Sequence, residues 1–170
     1  MELPGKYSAD IITLSDRAAS GEYEDLSGPL VEELLGDYFR EINWPLKTGR
    51  HIIPDDKGRL RQILNESSQN SNIIITTGGT GIGPRDITAD VVSGMLDMEI
   101  PGIMDHIRLK YGAEKPNALL SRSVAGVMNK SLVYTLPGSA RAVREYMSEI
   151  LKTLQHCIYM QYGVDVHKKH

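Results

Sequence analysis

The sequence predicts an α/β fold, a three-layer α/β/α sandwich around a mainly parallel sheet. Three observations lead there. Short apolar, β-branched runs alternate with longer segments of helical periodicity, in the order β-α-β-α-β-α. One run, "NIIIT", carries three consecutive isoleucines, as expected of a strand buried on both faces of a parallel sheet. The chain has 170 residues, enough for one core and too few for two comfortable ones. No internal repeat, low-complexity tract or long linker divides it, so residues 1–170 are expected to form a single domain with right-handed crossovers.

Each element has its own justification. In "YSADIITLSD", Ile11, Ile12 and Leu14 form a first strand that ends at Ser15-Asp16. The polar, glycine-bearing loop "RAASGEYEDLSGP" feeds a helix in "LVEELLGDYF". There Leu30, Val31, Leu34, Leu35, Tyr38 and Phe39 recur at helical spacing. A second strand lies in "INWPLKTGRHIIP", where Pro45 points to an edge or an interruption. "DDKGRLRQILNESSQN" is a helix with an acidic start and Leu60, Ile63 and Leu64 on one face. After "NIIIT", the segments "ITADVVSGMLDM" and "PGIMDHIRLKYG" predict further helices, the second with Pro101 at its start. "VAGVMNKSLVYTLPG" predicts two short strands around a turn at 129–131, and "SARAVREYMSEILKTLQHCIYM" a final amphipathic helix.

Composition narrows the function. With 19 Lys and Arg against 22 Asp and Glu, the net charge is −3. No broad basic field is on offer, so nucleic acid is not the expected partner. A few arginines and helix N-termini can still hold a phosphate. Cys157 is the one cysteine, so no internal disulfide forms, and no Cys/His spacing suits zinc. The start "MELPGKYSAD" has no apolar h-region and no segment reaches membrane-span length. A cytoplasmic, reduced setting without membrane association is expected.

In open α/β sheets, ligands sit beyond the carboxyl ends of the strands. The loops after "IITL", "HIIP", "IIITT" and "YTLPG" are therefore where chemistry is sought. The third strand runs directly into Gly78, Gly79, Gly81 and Gly83, followed by Arg85 and Asp86. Glycines let backbone N–H groups approach an anion, and the helix beyond adds its positive end. No Gly-Lys-Ser/Thr follows, so this is not a Walker A loop. Pro84 stands where a dinucleotide fingerprint would need its third glycine, which argues against an NAD-dependent dehydrogenase. A tight strand-to-helix turn is the plainer reading; four glycines with Arg85 and Asp86 favour a ligand site. Asp86 by itself reads as a helix N-cap, as do Asp55, Asp56 and Ser139, and Ser15-Asp16 reads as an Asx-turn. All of them fall at strand carboxyl ends, so the fold should gather them around one crevice.

A family resemblance rests on six motifs in order: "TLSDRAASGEYED", "IIPDD", "TTGGTGIGPRD", "EIPGI", "ALLSRSVAG" and "LPGSARAV". Together, over about residues 7–154, they resemble the molybdopterin adenylyltransferases. These are the MogA-like members of the MogA/MoaB molybdenum-cofactor biosynthesis fold, also found as the G domain of gephyrin. The tail "QHCIYMQYGVDVHKKH" carries no motif of the family and is unassigned. The resemblance implies transfer of AMP from Mg-ATP to the terminal phosphate of molybdopterin, with release of pyrophosphate. It implies that Asp55 and Asp86 are catalytic and hold Mg²⁺, with Asp16 third and Asp56 a cap. Ser15 and Asp16 join the ligand-binding set, with Gly78, Gly79, Thr80 and Gly81 as a phosphate cradle. Ser121 and Arg122 would meet the pterin and its phosphate, and Pro137, Gly138 and Ser139 the nucleotide. Arg85 would simply pair with Asp86. His51, His106, His156, His167 and His170 have no ligand spacing and are expected to be structural or exposed. A homotrimer and hand-over to a molybdate insertase are also implied. The alternative within the fold is a MoaB-like or scaffolding homologue that binds molybdopterin with little transferase activity.

Overall fold

The computed structural model describes residues 3–164. One sheet of six strands has the order β2-β1-β3-β6-β5-β4. The strands are β1 (Tyr7–Leu14), β2 (Leu46–Ile53), β3 (Ile73–Thr77), β4 (Met98–Glu99), β5 (Ala125–Met128) and β6 (Ser131–Leu136). β2, β1, β3 and β6 are parallel, whereas β5 and β4 run antiparallel at the far edge. The helices are α1 (Asp16–Ala19), α2 (Ser27–Glu41), α3 (Lys57–Asn70), α4 (Thr88–Ser93), α5 (Pro101–Gly112) and α6 (Ala140–Gln161).

The pleat sorts side chains strictly by parity, because successive residues of a strand face opposite ways. Tyr7, Ala9, Ile11, Ile73, Ile75, Leu132, Tyr134 and Leu136 enter a core shared with α2, α5 and α6. Ile12, Leu14, Ile74 and Val133 enter the opposite core, against Leu60, Ile63 and Leu64 of α3 and Val91 and Val92 of α4. That produces the three layers. Each fully buried isoleucine contributes about 1.5–3 kcal/mol relative to an exposed one. β2 is an edge strand that begins immediately after Pro45, whose carbonyl accepts from the Tyr7 N–H at 2.8 Å.

Three elements differ from the expectation. Helix α4 stops at Ser93, and Met98–Glu99 is a strand. The Asp97 N–H donates to Val127 O and the Ile100 N–H to Ala125 O, so β5 claims backbone groups a longer helix would have used. A short helix, α1, sits inside the segment expected to be loop, capped by Ser15. Helix α2 begins at Ser27, three residues before its apolar stripe, because Asp25 accepts from the Ser27 and Gly28 N–H groups. Part of the unassigned tail packs: α6 runs to Gln161, Tyr159 meets Trp44 edge-on, and Tyr162 Oη accepts from Asn72 Nδ2 at 3.0 Å. The remainder, including His167 and His170, lies outside the described residues.

The chain leaves β1 to form β2 on one side and later returns to form β3 on the other. The crevice beyond the carboxyl ends of β1 and β3 is therefore a topological switch point.

Candidate active site

Three contiguous lobes open around that switch point. A mixed-charge lobe of about 460 Å³, the Lys115 lobe, is lined by Gly79, Thr80, Gly81 and Asp86, by Lys115 and Ser121, and by Pro137 to Ser139, Arg141, Glu145 and Tyr146. A hydroxyl lobe of about 450 Å³ is lined by Thr13, Ser15, Arg17, Asp25, Ser27, Thr77, Gly138 and Ser139. A smaller acidic lobe of about 270 Å³ holds Ser15, Asp16, Asp55, Gly79, Arg85 and Asp86. Each pair of lobes shares a wall: Gly79 and Asp86, Gly138 and Ser139, or Leu14, Ser15 and Arg17. The two larger lobes are in the size range of small-molecule sites.

The glycine loop between β3 and α4 is tightly tied. Gly79 has φ +65°, and a Cβ there would collide with Thr88 Oγ1. Thr88 cannot give way, since its Oγ1 donates to Gly78 O at 2.8 Å and its N–H to Gly79 O at 3.0 Å. With the helix start tied to the loop in this way, Ile87 takes the cap position of α4 without a side-chain bond. Asp86 is not the cap. Its Oδ2 turns back to accept from the Gly83 N–H at 2.8 Å. By contrast Ser15, Asp56 and Ser139 do cap helices, accepting from Ala18, Arg59 and Ala142 N–H groups. Among the local cap candidates, Asp55 and Asp86 are the carboxylates left for other work.

Asp55 and Asp16 brace one another: Asp55 N–H donates to Asp16 Oδ1 at 2.9 Å and Asp16 N–H to Asp55 Oδ2 at 3.4 Å. Burial, and then the Asp86 charge, raise the Asp55 carboxyl above its ordinary value. Arg85 pairs with Asp16 and not with Asp86, and its Nη2 lies 3.9 Å from Asp55 Oδ2. A half-buried carboxylate that is destabilised by a second one favours a cation between them. All the donors are oxygen, which suits Mg²⁺. No group of three His, Cys, Asp or Glu side chains among the described residues is placed to hold a metal.

The Lys115 lobe contains residues that the sequence did not single out. Glu145 Oε1 accepts from Lys115 Nζ at 2.6 Å and from Arg141 Nε at 3.2 Å. Tyr146 Oη donates to Ser121 Oγ at 2.9 Å, and Arg108 Nη1 donates to Ser123 O at 2.8 Å, so the segment around Ser121 is fixed from two sides. One signal was available in the sequence. Arg141 sits in the first turn of α6, which has no acidic residue there, against the helix dipole unless an anion is present. Arg122, expected at the pterin, makes three bonds within the chain. Its Nε donates to Gly81 O at 2.8 Å, Nη2 to Asp86 O at 2.9 Å and Nη1 to Asp90 Oδ1 at 2.6 Å. Its guanidinium holds the glycine loop and lines none of the three lobes. Gly78 also lies off the lobe walls, packed behind Gly138.

Residues 10–156 match the family described as a probable molybdopterin binding domain. A molybdopterin adenylyltransferase of Helicobacter pylori strain J99 is 33% identical over 155 residues, covering 90% of this chain and 86% of that relative. One from Escherichia coli K12 is 32% identical over 142 residues, covering 82% and 71%. Among solved structures, the molybdopterin biosynthesis enzyme MoaB of Thermus thermophilus has a TM-score of 0.81 at 31% identity. The match covers 92% of this chain and 97% of that one.

Proposed function

The chain belongs to the probable molybdopterin binding domain family, and from that membership we propose that it transfers AMP from Mg-ATP to the terminal phosphate of molybdopterin. The observation that carries the reading is the sharing of walls between two substrate-sized lobes and one acidic lobe. Two organic substrates can lie in separate lobes and still present their phosphates to a common point.

The pterin occupies the Lys115 lobe, with Ser121, Lys115 and Arg141 toward its phosphate. The nucleoside occupies the hydroxyl lobe, and the polyphosphate crosses the Ser15 wall to the acidic lobe, with Ser139 on the wall toward the pterin. The attacking phosphate oxygen forms the new bond to the α-phosphorus of ATP, and the bond from that phosphorus to the bridging oxygen of the β-phosphate breaks, releasing pyrophosphate. The nucleophile is already ionised near neutral pH, so no general base is required. What the chain must supply is alignment and charge neutralisation. Gly79, Thr80 and Gly81 place the glycine-loop backbone against phosphate. Asp55 and Asp86 would hold Mg²⁺, which when bound neutralises charge on the phosphates and on the leaving pyrophosphate. Asp16 orients Asp55, and Arg122 acts indirectly by holding the loop.

No helix among the described residues is long and apolar enough to cross a membrane. The proposal extends to a cytoplasmic homotrimer that passes its product to a molybdate insertase, on the strength of the family resemblance alone. The test is incubation with molybdopterin, ATP and Mg²⁺, followed by mass detection of adenylyl-molybdopterin. Pterin binding without AMP transfer would replace this reading with that of a MoaB-like binding protein.

A further inference from the structure

The hydroxyl lobe has a floor whose hydrogens are all accounted for. Asp25 Oδ1 accepts from the Ser27 N–H at 3.0 Å, the Gly28 N–H at 3.1 Å and the Ser27 hydroxyl at 2.8 Å. Its Oδ2 accepts from the Thr13 hydroxyl at 2.7 Å. Thr77 Oγ1 lies 2.8 Å from Ser27 Oγ and 3.3 Å from Thr13 Oγ1. Burial pushes the Asp25 carboxyl up, but the bonds from Gly28, Thr13 and Ser27 outweigh it and hold Asp25 below its ordinary value. Asp25 is thus ionised near neutral pH and can only accept.

That fixes the direction of every bond made to Asp25. Thr13 and Ser27 each have one hydroxyl hydrogen, and both go to Asp25. The Thr77 hydrogen must then go to Ser27 or Thr13, again inside the cluster. No hydroxyl hydrogen is left for a ligand, and the spare capacity is lone pairs beside a carboxylate. Gly28 shows how closely the cluster is built, since a Cβ there would stand 2.9 Å from Thr13 Oγ1 and collide with Asp25 Oδ2. The walls have the opposite character. Ser15 Oγ and Ser139 Oγ accept from helix N–H groups, which leaves their own hydrogens free, and Arg17 adds a cation.

We infer that the Thr13–Asp25–Ser27–Thr77 cluster is a specificity floor that accepts a neutral N–H or O–H donor of the nucleoside and turns phosphate away. It rests on the proposed use of ATP and deepens it, because it fixes which way the nucleotide lies. The donor-bearing end goes down between β1 and β3, and the phosphates point to the Ser15 and Ser139 walls. The donor is either the 6-amino group of the base or a ribose hydroxyl. A site built to accept such a donor discriminates strongly against analogues that lack it, since the acceptors are then left unpaired.

Binding to the full chain is measured by calorimetry for ATP, inosine triphosphate, purine riboside triphosphate, 2′-deoxy-ATP, 3′-deoxy-ATP and inorganic triphosphate. If the base amine is seated, both base analogues bind at least tenfold more weakly than ATP, and the deoxy analogues bind normally. If a ribose hydroxyl is seated, the deoxy analogue lacking it shows that loss instead. Asp25→Asn can still receive the Ser27 and Gly28 N–H groups, but its amide donates to Thr13 and so turns the Thr13 hydrogen outward. The discrimination should then shrink to within about threefold, with melting temperature reported alongside. If all the nucleotides bind within threefold of one another, or inorganic triphosphate competes at the Asp25 floor, the inference is overturned while the adenylyl-transfer reading stands. If ATP fails to bind at all, both fall.

Discussion

Replacing Asp86 with asparagine separates catalysis from folding. The structure sets the expected size of each effect. Asp86 bonds within the protein through Oδ2, which accepts from the Gly83 N–H at 2.8 Å, and an asparagine carbonyl oxygen can take that bond. Helix α4 does not depend on the side chain, since Ile87 occupies its cap position. Stability should therefore change by no more than about 0.5 kcal/mol, as for substitutions away from buried networks. The charge is another matter. Asp86 raises the carboxyl of Asp55, so the neutral amide should let Asp55 titrate lower, and a cation between them loses one of two carboxylates. Losing a preorganised charge of this kind costs about a hundredfold or more in turnover, roughly 2.7 kcal/mol of barrier. The assay is AMP transfer followed by mass spectrometry, with carbon-detected titration of the Asp55 carboxyl as an independent readout. A folded Asp86→Asn protein with near-normal turnover, or one in which Asp55 titrates unchanged, would refute the reasoning.

Gly79→Val should weaken both ATP and molybdopterin binding at least tenfold on folded protein, because a branched side chain resists φ +65° and collides with Thr88; binding curves for both ligands check it. Arg122→Met should weaken the two substrates together and lower the melting temperature, since it frees the loop at Gly81, Asp86 and Asp90. A selective loss of pterin binding would instead place Arg122 on that ligand. Glu149 is held at about 2 by Lys110 first, opposed by burial, with Lys152 and His106 assisting. Its folded value lies below the unfolded one, so its stabilisation is full above about pH 4.5 and fades as pH falls toward 2. Denaturant melts of the wild type and Glu149→Gln should differ by about 1–2 kcal/mol at pH 7, allowing for the exposed lysines, and converge in acid.

What could be read from the sequence was whatever is encoded within one element. The buried strands, their alternating faces and the edge position after Pro45 follow from local patterning and backbone chemistry. Asp55 and Asp86 were paired by the family resemblance alone, since each reads locally as a helix cap. What was not legible depends on long-range closure. Lys115 and Glu145 meet across 30 residues, and Asp25 lies in a stretch that reads only as polar loop until β1, β3 and α2 surround it. Asp86 shows the opposite failure. Its local context fits a cap, but the tie between Thr88 and the glycine loop moves the helix start past it. Arg122 was placed at a ligand by resemblance, and the structure adds bonds from its Nε, Nη1 and Nη2 to two carbonyls and a carboxylate of this chain that no local pattern announces.

The arrangement also explains why the site needs no nucleophilic side chain. Joining two phosphates depends on bringing a charged oxygen into line with phosphorus, and an error of about 1 Å can cost a hundredfold. Independent pockets would let each substrate settle on its own. Here Ser139 stands in the wall between the Lys115 and hydroxyl lobes, and Gly79 and Asp86 stand between the Lys115 and acidic lobes. Ser139 is fixed as the cap of α6, and the glycine loop is fixed by Thr88 and Arg122. On the proposed seating, a shift in either wall would move the seats of two ligands together, so that alignment would be held by backbone and caps rather than by any one catalytic group.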